Sequence, residues 1–188
     1  MPQEPLQSSE ITRVAKAAVE VVQELGFTCC LFGSAACWYY GMRNRVPNDV
    51  DLVVMDDEHF DTEVIKRLIV GRNSNFYLVP ARNPHDTFKV LWYRVGPRKK
   101  CKVDILLPGP ELLSIPYIAA ENLHYTRNSG MPLLPFLTLV LLKKPGKPDP
   151  QIRSRIFAGQ RLWEPFRQTP PIVNFPALPT STWARGQR

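Results

Sequence analysis

The run Asp49-Val50-Asp51-Leu52-Val53-Val54-Met55 constrains this chain more than any other stretch. Its apolar, β-branched part reads as a buried strand. Side chains alternate faces along a strand, so Asp49 and Asp51 project from one face. Two like charges on one face of a buried strand are costly unless an opposite charge neutralises them. Hard carboxylate oxygens so placed suit a divalent cation, Mg²⁺ or Mn²⁺. Asn48-Asp49 after Pro47 also suits a turn, whereas Asp51 is embedded in the apolar run.

The flanking pattern predicts a mixed sheet with helices packed on it. Ser8-Ser9 before Glu10-Ile11 reads as a helix cap, and Val14, Ala17, Ala18, Val21, Val22 and Leu25 repeat at helical spacing up to Gly26. Residues 27–32 are short and apolar, a strand, broken by Gly33-Ser34. Residues 35–40 read as a short helix ended by Gly41, and residues 42–48 as a loop carrying Arg43 and Arg45. The strand of the paired carboxylates follows. Residues 56–70 then read as a helix with an acidic start and a basic end, stopped by Gly71. Three β-like segments come next, at 75–79, 87–95 and 101–107, and the last contains a third carboxylate, Asp104, which also suits an exposed edge strand. Residues 133–144 read as a helix, 151–163 as a short amphipathic helix, and 169–188 as extended or disordered chain rich in proline.

Charge divides the chain. Of the net +7, residues 1–142 contribute nothing, whereas residues 143–188 hold nine Lys and Arg against two acids, together with eight of the 19 prolines. We therefore expect one domain over residues 1–144 and a basic, Pro-rich, partly disordered tail over residues 145–188. The start of the chain lacks a basic segment followed by an apolar one, so no signal peptide is expected. The apolar stretch 133–142 is about half the length of a spanning helix and carries Pro135, so no membrane partner is expected. The four cysteines form no C-x-x-C pair and the three histidines are scattered, which argues against zinc. The expected home is intracellular and reducing, the cytoplasm with the nucleus as an alternative.

Phe32-Gly33-Ser34 before a helix, Asp49-Val50-Asp51 on a strand and Asp104 on a later strand form an ordered set. This set resembles the DNA polymerase beta-like nucleotidyltransferase superfamily over roughly residues 9–144. More narrowly, residues 33–37 and 47–54 are similar to small nucleotidyltransferase-like proteins of basidiomycete fungi. The resemblance implies an α+β, palm-like fold. It implies catalytic and metal-holding roles for Asp49, Asp51 and Asp104 with Mg²⁺ or Mn²⁺, and nucleotide contacts from Gly33 and Ser34. Gly33 would let the backbone approach a triphosphate, and Ser34 with the following helix start would offer donors to phosphate oxygens. Arg43, Arg45 and Lys89 are further candidates for the nucleotide, each also readable as a solvated surface residue. Lys99, Lys100 and Lys102 read as a charged turn, and Trp38, Tyr39, Tyr40, Trp92 and Tyr93 as core or half-buried residues.

The implied reaction is metal-dependent transfer of a nucleoside monophosphate from an NTP, such as ATP, to an acceptor that is an RNA end, a protein or a small molecule. The chain departs from the pattern after residue 142. Where the resembling proteins continue into helices that help enclose the nucleotide, Lys143-Lys144-Pro145 stops the helix. Either the tail is divergent or those helices are missing. The alternative function is thus a catalytically impaired domain that binds nucleotide or nucleic acid without turnover. A further alternative uses the basic tail as a non-specific nucleic-acid tether.

Overall fold

The computed structural model describes residues 4–55, 60–83, 85–109 and 113–143. The expected helix at 151–163, the extended tail and the domain boundary after residue 144 lie outside the described residues. The elements are α1 (Ser8–Glu24), β1 (Cys29–Phe32), α2 (Gly33–Tyr39), β2 (Asp49–Val54), α3 (Thr62–Arg72), β3 (Phe76–Pro80), β4 (Lys89–Gly96), β5 (Lys99–Leu106), a single 3₁₀ turn (Ala120–Asn122), β6 (His124–Tyr125), β7 (Pro132–Leu133) and α4 (Phe136–Lys143). Among the described residues the strands form one seven-stranded sheet in the order β3-β4-β5-β2-β1-β7-β6. It is mixed: β2 runs parallel to β5 and β1 parallel to β7, and the other neighbours are antiparallel. The expected α+β class is the one observed.

One face of the sheet carries the core. Val50, Leu52 and Val54 of β2 alternate outward from the carboxylates, and Val50 and Leu52 sit in register with Val103 and Ile105 of β5. Leu91 and Tyr93 of β4 extend the row through Val103 and Cys101. All are buried in one cluster with Ile11, Val14, Ala18 and Val22 of α1 and Ile65 and Ile69 of α3. Complete burial of one such aliphatic side chain is worth roughly 1.5–3 kcal/mol. That one-sided gain fixes the register and turns Asp49 and Asp51 to the other face.

Several ends differ from the sequence expectations, each for a local reason. Helix α1 begins at Ser8 with Gln7 as its cap: the Glu10 carboxylate accepts the Gln7 backbone N–H at 2.8 Å, so the Ser8-Ser9 cap is displaced by one residue. Lys99 Nζ donates to both Glu10 oxygens at 3.2 and 3.3 Å, tying the same helix start to β5. Helix α3 starts at Thr62, where Asp61 caps it by accepting the Glu63 N–H at 3.2 Å, and the helical start expected over 56–59 lies outside the described residues. Gly71 lies inside that helix rather than after it. Helix α4 begins after Pro135, and Leu133 and Leu134 instead extend the sheet beyond β1, where the Leu134 N–H donates to the Leu31 carbonyl at 3.0 Å. Among the described residues, no helix is long and apolar enough to cross a membrane.

Candidate metal centre

The parallel β2–β5 pair builds the centre. Its register sets Asp49 opposite Lys102 and Asp51 opposite Asp104. Directly paired residues share a face, so all four side chains project away from α1 and α3. One carboxylate oxygen from each of Asp49, Asp51 and Asp104 lies within 4.8 Å of the others, and all three residues are half-buried. Strand β5 is internal, with β4 and β2 on either side. That removes the edge-strand reading of Asp104, and Asp49 is the first residue of β2 rather than part of a turn. Val53 is buried as well, so the acidic face closes just beyond Asp51, beside α2, which packs on β1 and β2.

Gly33 makes room for the second carboxylate. It follows Phe32, the β1 partner of Asp51, and takes φ +63°. A Cβ there would overlap Asp51 Oδ2 and lie 2.7 Å from its Cγ. The position is closed to a side chain both by backbone conformation and by the Asp51 carboxylate. The sequence reading gave Gly33 a role toward phosphate; the structure adds a direct one toward the second carboxylate.

The negative charge of the cluster reaches the core behind it. Burial chiefly pushes the Cys101 thiol up to about 12, and the charges of Asp49, Asp104 and Asp51 push it the same way. One cation on the acidic face answers that charge directly: Lys102 Nζ donates to Asp104 Oδ2 at 2.7 Å, with the two side chains 40% and 32% exposed. The sequence reading set Lys102 aside as part of a charged turn. The signal was present, because Lys102 stands two residues before Asp104 on the same strand and so must share its face.

The remaining predicted residues scatter. Ser34 sits beside Gly33, and its Oγ accepts a hydrogen bond from Arg45 at 3.0 Å. Arg43 instead lies over the Trp38 ring, 5.4 Å from its centroid. Lys89 is not brought to the carboxylates. Trp92 pairs with Lys102 and so lies on the acidic side, and Lys89, three residues earlier, falls on the opposite face. Its backbone is held by α3: Lys66 Nζ donates to the Lys89 carbonyl at 2.8 Å, and the Lys89 N–H donates to Glu63 Oε1 at 3.2 Å. Among the described residues, a cleft of about 330 Å³ opens beside the carboxylates, lined by Glu4, Pro5 and Leu6 before α1, Asn48 and Asp49, Trp92 and Lys102.

The donor set fits a hard divalent cation. Three carboxylates converge from two adjacent strands, a glycine is shaped around one of them, and solvent reaches all three. The fold class these elements define is that of nucleotidyltransferase-like proteins. A solved structure of an antigenic nucleotidyltransferase-like protein from Paracoccidioides brasiliensis superposes with a TM-score of 0.57 at 16% identity, over 82% of this chain and 77% of that one. At that identity the likeness is one of fold. No protein-family model and no curated protein matches the chain.

Proposed function

We propose that this protein is a metal-dependent nucleotidyltransferase that moves a nucleoside monophosphate from an NTP to an acceptor hydroxyl. The observation that carries the reading is the convergence of Asp49, Asp51 and Asp104 within 4.8 Å, on a sheet of this fold. Similarity to basidiomycete nucleotidyltransferase-like proteins in residues 33–37 and 47–54 supports the same reading.

Asp49 and Asp51, side by side on β2, hold Mg²⁺ or Mn²⁺ together with Asp104. Bound there, the cation supplies positive charge to the oxygens of an in-line displacement at the α-phosphorus. In this reading Asp104, from the neighbouring strand, takes the acceptor's proton. The acceptor oxygen then forms its bond to the α-phosphorus while the bond to the β-phosphate oxygen breaks, and pyrophosphate leaves with that electron pair. Ser34 with Arg45 offers a hydroxyl and a guanidinium to phosphate oxygens. Arg43, over Trp38, is a second cation within the same loop. The basic segment 143–188 is assigned to non-specific nucleic-acid contact.

The test is incubation with Mg²⁺ or Mn²⁺ and each α-labelled NTP, against pooled RNA, cell extract and the protein itself. Label transfer that disappears in Asp49→Asn and in Asp51→Asn, with both variants folded, is the expected result. Transfer that survives both substitutions sinks the assignment. Metal-dependent NTP binding by calorimetry without transfer to any acceptor identifies the impaired, binding-only alternative.

A further inference from the structure

The proposed site carries its own competitor for the metal. Lys102 Nζ lies 2.7 Å from Asp104 Oδ2, the distance of a direct charge-assisted hydrogen bond, and occupies one of the two oxygens of the third ligand. It does so on the same face as the three-carboxylate cluster, in which Asp49 is its own β-sheet partner. Resting on the reading of these carboxylates as metal ligands, we infer that Lys102 is a displaceable counter-ion. It holds Asp104 and offsets the cluster's negative charge when no metal is bound, and it gives way when a divalent cation takes Asp104.

Two features make displacement physically easy. The ammonium sits on a flexible four-carbon stem that is 40% exposed. Lys102 also lines the 330 Å³ cleft, together with Glu4. Once released from Asp104, the ammonium has open space to enter and a carboxylate within that space. Lys99, which already binds Glu4 at 3.7 Å and Glu10 at 3.2 Å, is tied to the N-terminal segment and does not serve this role. Lys100 lies over the Trp92 ring, 4.2 Å from its centroid. Lys102 is bonded directly to Asp104.

The consequence is an ordered loading of the site. A cation held through Asp49 and Asp51 meets no direct competitor from Lys102, whereas a cation that recruits Asp104 must first displace an ammonium. Recruitment of Asp104 is therefore the step that Lys102 opposes. Lys102 makes the complete three-carboxylate site depend on metal concentration.

Mn²⁺ alone is the probe, titrated into the full chain and followed by calorimetry and by the electron paramagnetic resonance signal of free Mn²⁺. The comparison is wild type, Lys102→Met and Lys102→Arg. Lys102→Met keeps the apolar stem and removes the charge, and its overall Mn²⁺ affinity should rise about two- to fivefold at low salt. The gain should shrink as ionic strength rises, since the competing interaction is exposed and screened. Lys102→Arg restores a competing cation and should return the affinity to the wild-type value or below it. A merely structural lysine would not give this opposite pair of shifts in variants of equal thermal stability. Unchanged or weakened Mn²⁺ binding in Lys102→Met overturns the inference while leaving the metal site standing. No Mn²⁺ binding by either wild type or Lys102→Met overturns the metal site itself.

Discussion

Replacing Gly33 by Ala tests the architecture of the site with one methyl group. The new Cβ overlaps Asp51 Oδ2 and stands 2.7 Å from Cγ, on a backbone at φ +63°. Holding alanine in the left-handed region costs roughly 1–2 kcal/mol. Turning Asp51 off its rotamer to clear the methyl group adds about 0.5–1.5 kcal/mol. The sum, about 1.5–3.5 kcal/mol, corresponds to a fall in Tm of roughly 3–14 °C for a chain of this size. The larger effect falls on the ligand set, because Asp51 can no longer stand beside Asp49 and Asp104. Mn²⁺ affinity should drop by about 10–100-fold, the scale seen when the support of a metal ligand is removed.

Stability is read from denaturant melts in EDTA, and affinity from Mn²⁺ calorimetry on the folded variant. A double-mutant cycle separates the two costs. In an Asp51→Ala background Oδ2 and Cγ are gone and the residue-51 Cβ remains at 3.2 Å, so Gly33→Ala should there cost the backbone strain and a small adjustment of that contact. Wild-type Mn²⁺ affinity in Gly33→Ala would refute the close packing of Gly33 against the second carboxylate.

Asp49→Asn should leave Tm in EDTA unchanged or raise it, by about 0.5–1 kcal/mol of stability, because it relieves like-charge repulsion among three carboxylates. Added Mn²⁺ should then stabilise the wild type and not the variant; a lower Tm for the variant in EDTA would show that the carboxylates do not repel. Glu10 is held below its ordinary value by the Gln7 backbone N–H, with Lys99 acting in the same direction. Its contribution is therefore complete above the ordinary glutamate value of about 4.5 and is lost as pH falls through the lower folded value. Melts of wild type and Glu10→Gln should differ near neutrality and converge in acid, and a gap that widened on acidification would reverse the sign. Burial pushes the Cys29 and Cys101 thiols up to about 12, and Cys30 higher still. A thiol-specific reagent at about pH 8 should label Cys37, which is only half-buried, and reach the other three cysteines only after unfolding.

What the sequence disclosed tracks how local the determining physics is. The carboxylate strand was legible because period-two alternation is written in adjacent residues, whereas the place of Asp104 on the acidic face needed the β2–β5 register that pairs it with Asp51. Helix α1 was legible from its apolar spacing, but its cap was not, since Gln7 gains that position only through the reciprocal hydrogen bond of Glu10. Strands β6 and β7 were invisible. Each is two residues long, and β7 exists because Leu133 lies beside Leu31, about a hundred residues earlier in the chain. The place of Lys89 was equally non-local, being set by the Glu63 and Lys66 tethers from α3. Ser34 was picked out by its neighbour Gly33 and Arg45 by its place in the loop before β2, whereas the hydrogen bond that joins them is a tertiary contact across eleven residues.

The division of labour within β2 and β5 explains how a cluster of like charges survives in a folded sheet. Val50, Leu52, Val103 and Ile105 face α1 and α3 and are at most 5% exposed. Asp49, Asp51, Lys102 and Asp104 alternate with them and face the other way. Stability and binding therefore occupy the two parities of the same strands. The burial that holds the register is also what forces the carboxylates together, since none can turn inward without turning an aliphatic residue outward. The repulsion that results is small on the scale of that burial, because the acidic face is half-open to water and one lysine already answers it. A site built this way needs no polar core. It needs only a strand pair whose apolar parity is strong enough to fix where its polar parity points.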